Sequence, residues 1–193
     1  MSTSKRASYH HGDLKAALLQ AAAALLDEGG DAAVSLREVA RRAGGTPSAS
    51  YRHFEDKNAM LAALAAQGFE SFARSMQDAA QGAAEPFTEM GVAYVRFASA
   101  NPKLFRLMFG PQVADRSRSP ELLAAVAKAT SVFDQGIKGR GDALGDNRVV
   151  ALRTWALVHG LSMLVLDGML PGLEPEALAR AAITSKLHSA AQG

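Results

Sequence analysis

The segment SLREVARRAGGTPSASYRHFEDKNAML, residues 35–60, decides how the rest of this chain is interpreted. Ser35 opens an S-x-x-E pattern, which is typical of the capping box at the start of a helix. The glycines at 44–45 end that helix, because glycine adopts positive φ angles without a steric cost. Thr46 predicts the cap of a second helix with Pro47 at its first position, where the missing N–H is harmless. The segment therefore predicts two short helices joined by a tight turn.

This arrangement matches the helix-turn-helix pattern, in which a short turn that often contains glycine joins two helices. In DNA-binding proteins of this kind the second helix enters the major groove, and its N-terminal residues reach base edges. Small hydroxyl side chains on that helix would let its backbone approach the groove and would bond to phosphates and bases. A capped polar helix on an ordinary surface explains the same residues, so the spacing alone leaves both interpretations open.

Lys57 favours the DNA-binding interpretation. Asp56 is expected to cap the next helix, which places Lys57 in its first turn. A cation at that position opposes the helix macrodipole at a cost of about 0.3–1 kcal/mol. The placement becomes favourable if a phosphate docks beside the free N–H groups of the helix end. A solvated lysine would tolerate the same position.

Composition and charge limit the class of protein. With 193 residues, of which 48% are hydrophobic and 21% charged, the chain can bury a substantial core. The chain has no cysteine, which excludes disulfides and thiolate catalysis and is typical of a reducing cytoplasm. We expect no transmembrane helix, because no run of about 18 apolar residues is free of charge, and no signal peptide. The net charge of +2 permits a small DNA-binding footprint without requiring one.

Helical start and stop signals recur along the whole chain, and strand signals are nearly absent. Asp13 predicts the cap of the first helix and Gly29 its end. Pro86 and Pro102 each follow a polar residue and predict two further helix starts. Other helices are expected at about 57–81, 120–138 and 147–169 and from about 174 onward, with a polar loop at 110–120. The sequence predicts an all-α fold of about nine helices.

Residues 12–61 resemble the N-terminal domain of TetR-family transcriptional regulators. The resemblance is carried by the alanine-rich first helix that ends in DEG, by SLREVARRAGG and by YRHFEDKNAML. It implies a helix-turn-helix DNA-binding domain over residues 1–57 and an effector-binding and dimerisation domain over residues 58–193. It also implies that Tyr51 and Lys57 contact the DNA backbone. The chain departs from the family at Ser50, where leucine or isoleucine is usual.

The expected DNA contacts fall into three groups. The side chains expected to hold phosphates are Ser35, Tyr51, His53 and Lys57. The residues on or near the recognition helix, of which the exposed ones would read bases, are Thr46, Pro47, Ser48, Ala49 and Ser50. The N-terminal residues that would reach the backbone or the minor groove, or else stay disordered, are Lys5, Arg6, Tyr9, His10 and His11. His53 has a rival role in packing against the first helix, and the arginines at 41, 42 and 52 add positive charge.

The C-terminal part is expected to hold a dimer together. The helix at 147–169 is hydrophobic nearly all round, so neighbours in the chain and a partner must cover it. We expect a homodimer through the last two helices, which would let two recognition helices read a palindrome. The motif W-x-x-x-H-G at 155–160 and the stretch NPKLFRLMFGP at 101–111 resemble the C-terminal domain in one branch of the TetR regulators. That resemblance implies effector binding and dimerisation.

Aromatic and methionine side chains of the C-terminal part are candidates for an effector pocket, because ligand cavities in helical bundles are lined in this way. The candidates are Phe69, Phe72, Tyr94, Phe97, Phe105, Met108, Phe109, Phe133, Trp155 and His159. Asp167 is a further polar candidate. The same stripes also fit an ordinary core, and Trp155 and His159 fit a packed pair as well as a pocket. Few charges lie on the apolar faces, so we expect a small apolar or aromatic effector.

Together these features predict a cytoplasmic, nucleoid-associated bacterial regulator that binds double-stranded DNA as a homodimer and represses transcription until an effector releases it. The helix at 57–81 would couple the two parts. The alternative is a DNA-binding protein without an effector. The five histidines are scattered and no H-E-x-x-H or G-x-S-x-G motif occurs, so we expect no enzymatic activity, metal or cofactor.

Overall fold

The computed structural model describes residues 11–137 and 147–184, and every regular element in these ranges is helical. The helices are α1 (His11–Gly29), α2 (Leu36–Arg42), α3 (Pro47–Tyr51), α4 (Lys57–Ala80), α5 (Pro86–Ala100), α6 (Pro102–Met108), α7 (Pro120–Ile137), α8 (Asn147–Leu166) and α9 (Pro175–Thr184). Short 3-10 turns lie at Asp31–Ala33, Pro111–Val113 and Arg116–Arg118. The predicted all-α fold of about nine helices is confirmed for the described ranges.

Two of the predicted caps form as expected. The Ser35 hydroxyl accepts a hydrogen bond from the Glu38 N–H at 3.2 Å, and the Asp56 carboxylate accepts one from the Ala59 N–H at 2.7 Å. Each satisfies one of the backbone donors that the start of a helix leaves free. Local sequence therefore sets where α2 and α4 begin.

Two other caps differ from the prediction. Helix α1 begins at His11, so Asp13 lies inside the helix and is not its cap. Thr46 occupies the N-cap position of α3 but its side chain accepts no backbone hydrogen bond, and its hydroxyl oxygen lies 3.0 Å from that of Ser48. Pro47 at the first position of α3 has no N–H to satisfy.

Helix α4 is the central element of the molecule. Half of its 24 residues are buried. It packs against α1 and α6, and also against α5 and α7. Lys103 of α6 ties the end of α1 to this arrangement, since its ammonium donates to the carbonyl oxygens of Asp27 and Glu28 at 2.7 and 2.8 Å. These carbonyls belong to the last turn of α1, where a cation is favourable.

Helix α9 lies close against α5. Gly91 allows this approach, because a Cβ at that position would come within 2.2 Å of the Ile183 side chain. Arg96 of α5 pairs with Glu176 at 2.6 Å, and Arg180 of α9 pairs with Glu89. The cluster holds the pKa values of both glutamates below their usual range, mainly through the hydrogen bonds from the arginines.

Helix α8 leaves much of its apolar surface uncovered. It packs against α5, α7 and α9, yet Leu152, Leu157 and Leu164 are 61%, 40% and 47% exposed. Arg148–Leu166 has a mean hydropathy of 1.7 and is 17% buried, so by length and composition alone it could cross a membrane. The sequence analysis expected no helix of this kind, because no apolar run is free of charge. This helix still has a high mean hydropathy, because its apolar residues outweigh its few charged ones.

Candidate nucleic-acid interface and effector cavity

Helices α2 and α3 form the predicted helix-turn-helix. Gly44 has a φ of 71°, a conformation that L side chains rarely adopt, and this reverses the chain between the two helices. The side chains of Leu36, Val39 and Ala40 are buried and fix α2 against the rest of the domain. The turn therefore presents the start of α3 at the surface.

The exposed face of α3 carries small polar groups. Thr46, Pro47 and Ser48 are exposed at its start, and Tyr51 at its end is 59% exposed. The hydroxyl groups of Thr46 and Ser48 lie side by side, 3.0 Å apart. Such groups both donate and accept hydrogen bonds, so this face can contact bases and phosphates.

Ala49 and Ser50 do not belong to this face, so neither is among the exposed residues that would read bases. Ala49 is 6% and Ser50 0% exposed, because both side chains point into the domain. The Ser50 hydroxyl lies 2.8 Å from the Pro47 carbonyl oxygen and 3.1 Å from that of Leu36, and it shares its one hydrogen between them. Both side chains therefore pack on the buried side of α3.

The cations around the helix-turn-helix divide into paired and unpaired side chains. Arg41 pairs with Glu38 at 2.6 Å and Arg42 with Glu28 at 2.5 Å, which offsets much of the positive charge that they were expected to add. Of the cations around the helix-turn-helix, Arg37, Arg52 and Lys57 form no ion pair with any residue of 11–137 or 147–184.

Arg37 is a candidate that the sequence analysis did not name. It is exposed and lines a surface cleft with Ser35 and Pro47. In the sequence, its position in the first turn of α2, close to the cap, is the feature that could have identified it as a phosphate contact.

The predicted phosphate-binding side chains differ in exposure. Lys57 is half-buried at the first position of α4, and His53 is also half-buried. Ser35 is exposed.

A cavity of about 500 Å³ lies between α4, α5, α7 and α8. Its walls are formed by Phe69, Phe72, Met76, Tyr94, Phe109, Arg116, Val126, Ala129, Thr130, Phe133, Asp134, Ala151, Leu152, Trp155 and His159. Most of these side chains are apolar. A volume of this size with a few polar groups is typical of small-molecule sites.

Tyr94, Trp155 and His159 form a hydrogen-bonded group on the wall. The indole N–H of Trp155 lies 3.2 Å from the Tyr94 hydroxyl oxygen, which lies 3.0 Å from Nδ1 of His159. Because the indole can only donate, the Tyr94 oxygen accepts a hydrogen bond from it. The tautomer of His159 decides which group donates in the contact between the Tyr94 hydroxyl and Nδ1. Burial lowers the pKa of His159 and raises the pKa of Tyr94, which favours the neutral form of both side chains.

The structure brings seven of the ten predicted pocket residues to the cavity wall. Phe97, Phe105 and Met108 are also buried but do not line the cavity. Phe105 packs behind the wall, with its ring centroid 4.8 Å from that of Phe109. Asp167 also lies elsewhere and pairs with Arg106 at 2.5 Å.

Arg116 is one of eight wall residues that the sequence analysis did not name, and the one among them with a positive charge. It lies in the segment 110–120, which was interpreted only as a polar loop, and nothing local distinguishes it from Arg118. In the fold its guanidinium carbon lies 5.5 Å from the centroid of the Phe69 ring.

The tail residues Lys5, Arg6, Tyr9 and His10 lie outside the described residues, as does the side chain of His11. Within the described ranges, no cluster of potential ligands fits a metal ion.

Two family models match the chain. Residues 18–64 match the model of bacterial regulatory proteins of the tetR family, and residues 87–185 match the tetracyclin repressor-like C-terminal domain. Assignment to the branch with the W-x-x-x-H-G motif stays a prediction. No curated protein matches the chain.

Solved structures agree with the family models. A protein of unknown function from Rhodococcus sp. RHA1 is 32% identical, with a TM-score of 0.78 over 91% of this chain and 94% of that chain. A TetR-family regulatory protein from Rhodococcus RHA1 is 25% identical, with a TM-score of 0.63 over 94% of both chains. The regulator FadR from Bacillus subtilis, solved with stearoyl-CoA, shares the fold at 13% identity and a TM-score of 0.69, over 87% of this chain and 95% of that chain. The chain therefore belongs to the TetR family and is a DNA-binding, non-enzymatic transcriptional regulator.

Proposed function

We propose that this regulator is a repressor that binds a palindromic operator as a homodimer and is released by a small, mainly apolar effector. The observation that carries the proposal is the exposed start of α3, where the hydroxyls of Thr46 and Ser48 lie together and α4 begins with the unpaired cation Lys57. Hydroxyls at the start of a recognition helix reach base edges, and nearby cations hold phosphates. We assign residues 1–57 to DNA binding and 58–193 to effector binding and dimerisation.

The uncovered surface of α8 supports a homodimer through α8 and α9. Leu157 and Leu164 lie two turns apart on the same face and are both exposed. TetR-family regulators act as dimers, and two copies of α8 facing each other would remove this surface from water. Membership of a family of soluble cytoplasmic proteins favours this role for α8 over a membrane span.

The course of α4 supports coupling between effector and DNA. The helix begins at Lys57 beside the recognition helix and carries Phe69, Phe72 and Met76 to the cavity wall. A ligand shifts the equilibrium between two positions of α4 if it binds one of them more tightly than the other. Such a shift would change the spacing of the two recognition helices in the dimer. An affinity for DNA that no cavity ligand changes would favour the alternative of a regulator without an effector.

The proposal is tested by selecting bound duplexes from a random-sequence library with the full chain. We expect a palindromic consensus whose half-site centres lie about 10 base pairs, or a multiple, apart. The enriched duplex should bind with an affinity that falls linearly with salt on logarithmic axes. Recovery of non-palindromic or unenriched DNA would contradict the proposal.

A further inference from the structure

A purely apolar effector, as expected from the sequence, would leave the wall residue Arg116 without a partner. Its Nε–H is buried and has no hydrogen-bond acceptor in the part of the chain that the structure describes. None of the described carboxylates forms an ion pair with its guanidinium. Buried donors nearly always have a partner, and a partly buried charge without one is costly. The wall of the cavity therefore holds a cation that lacks a counter-charge among the described residues.

The surroundings of Arg116 make it a site for an anion. Its guanidinium carbon lies 5.5 Å from the centroid of the Phe69 ring, close enough for a cation–π contact. The Phe69 ring packs edge-on against Phe109 at 5.3 Å, and Phe109 contacts the ring of His159 at 4.8 Å. The cation thus borders a continuous aromatic surface. Charge-assisted hydrogen bonds are stronger in such a surrounding than in water.

The other polar wall groups do not supply the missing charge. Asp134 is exposed, so water solvates its carboxylate, and it lies more than 4 Å from the guanidinium, since no ion pair joins them. Burial lowers the pKa of His159, which favours its neutral form. The cavity therefore combines apolar walls with one partly buried positive charge.

We propose that the effector is a monocarboxylic acid with an apolar body, whose carboxylate pairs with Arg116 while the body fills the aromatic part of the cavity. The proposal rests on the proposed function, in that it takes this cavity as the effector site. A planar guanidinium forms two parallel hydrogen bonds with a carboxylate, and one acid would satisfy the charge and cover the rings. A cavity of about 500 Å³ lies in the usual range for such ligands.

The test uses matched probes and the fluorescence of Trp155, which is the one tryptophan of the chain and lines the cavity. The full-length protein is titrated at neutral pH with octanoic acid, octanamide and octylamine, and with 4-phenylbutanoic acid and its amide. Calorimetry checks each titration. We expect each acid to bind about tenfold to hundredfold more tightly than its amide, and the amine to bind most weakly.

Two variants locate the effect. Arg116→Met should abolish the preference for acid over amide, because the carboxylate loses its counter-charge. The matched control is Arg118→Gln, which removes the same charge two residues away in the same turn, from a side chain that is 64% exposed and outside the cavity wall. This control should keep the preference. Without ligand, Arg116→Met should unfold at a higher temperature than the parent protein, because it no longer holds an unpaired charge in an apolar surrounding.

Several results would overturn the assignment. These are equal affinity for acid and amide, preference for the amine, an acid preference that survives Arg116→Met, or no binding of any probe. Binding of the selected operator duplex is measured on the ligand-free protein. A protein that recognises its operator but not the acids refutes only the carboxylate assignment, whereas one that binds the acids but no specific duplex refutes only the proposed repressor role.

Discussion

The hydroxyl oxygen of Ser50 lies 3.1 Å from the carbonyl oxygen of Leu36, so the recognition helix is hydrogen-bonded to the start of the helix before it. Ser50 is fully buried. The TetR resemblance predicts a leucine or isoleucine here, and the serine replaces that apolar anchor with a polar contact across the turn. The small hydroxyl residues of α3 therefore have two different roles, one on the surface and one beneath it.

Ser48 and Ser50 form a matched pair that separates these roles. Ser50→Ala should lower the free energy of unfolding by about 1 kcal/mol, because a buried hydrogen bond is lost, and should leave the DNA affinity of the folded protein unchanged. Ser48→Ala should leave the stability unchanged and weaken operator binding by about tenfold, since a dimer loses two contacts. Chemical denaturation and gel-shift titration measure the two quantities. A loss of DNA affinity on Ser50→Ala without a loss of stability would restore Ser50 to the interface.

Lys57 at the start of α4 is expected to hold a phosphate. Lys57→Ala should weaken binding to all duplexes alike and reduce the salt slope by about 0.9 per phosphate contact, or about 2 for a dimer. The control is Lys128→Ala, which removes an exposed lysine from α7 and none from the helix-turn-helix. Gel shifts over a range of salt concentrations give the slope. An unchanged slope would mean that Lys57 is only solvated.

Leu157 and Leu164 are expected to be buried between two copies of α8. Leu157 is 40% exposed in the single chain, so burying the rest of it contributes roughly 0.8 kcal/mol of the about 2 kcal/mol for a whole leucine, and a symmetric dimer loses two such contributions. Leu157→Glu should therefore raise the dimer dissociation constant by at least about tenfold, because it also places a carboxylate in the interface. Sedimentation equilibrium measures the change. Leu123→Glu is the control, since Leu123 is also exposed, at 53%, but lies on α7. If both variants remain dimers, the interface lies elsewhere.

His159 should make stability depend on pH. Its pKa in the folded protein is lowered by burial, so its contribution is complete above the unfolded value of about 6.5 and is lost as the pH falls through the folded value. The slope should stay below the one-proton limit of about 1.4 kcal/mol per pH unit, because His159 is only half-buried. Urea unfolding between pH 7.5 and about 5 compares the parent protein with His159→Asn, which should lack this part of the slope. Identical slopes would show that the histidine titrates normally in the fold.

Much of the fold could be predicted because its signals are local. The hydroxyl of Ser35 and the carboxylate of Asp56 cap helices within three residues of themselves. Pro86 and Pro102 begin helices for a reason internal to proline, its missing N–H. Asp13 is an exception, because α1 already includes His11, two residues before this predicted cap.

The candidate sites were harder to predict, since they depend on which way a side chain faces. Ala49 and Ser50 share the small residue types of the DNA-facing positions, yet packing against α2 places both inside. Phe97 and Phe105 match the cavity aromatics in type and spacing, and only the contacts between helices put them behind the wall.

The sequence by itself determined the helices, the order of the two functional parts and the turn that presents α3, because capping groups, proline and glycine act on their immediate neighbours. Only the tertiary structure decided which hydroxyls are exposed, which aromatics line the cavity and that Arg116 meets Phe69 across nearly fifty positions of sequence. Such contacts join residues far apart in the chain, and their energy depends on burial and on partners that no local pattern contains.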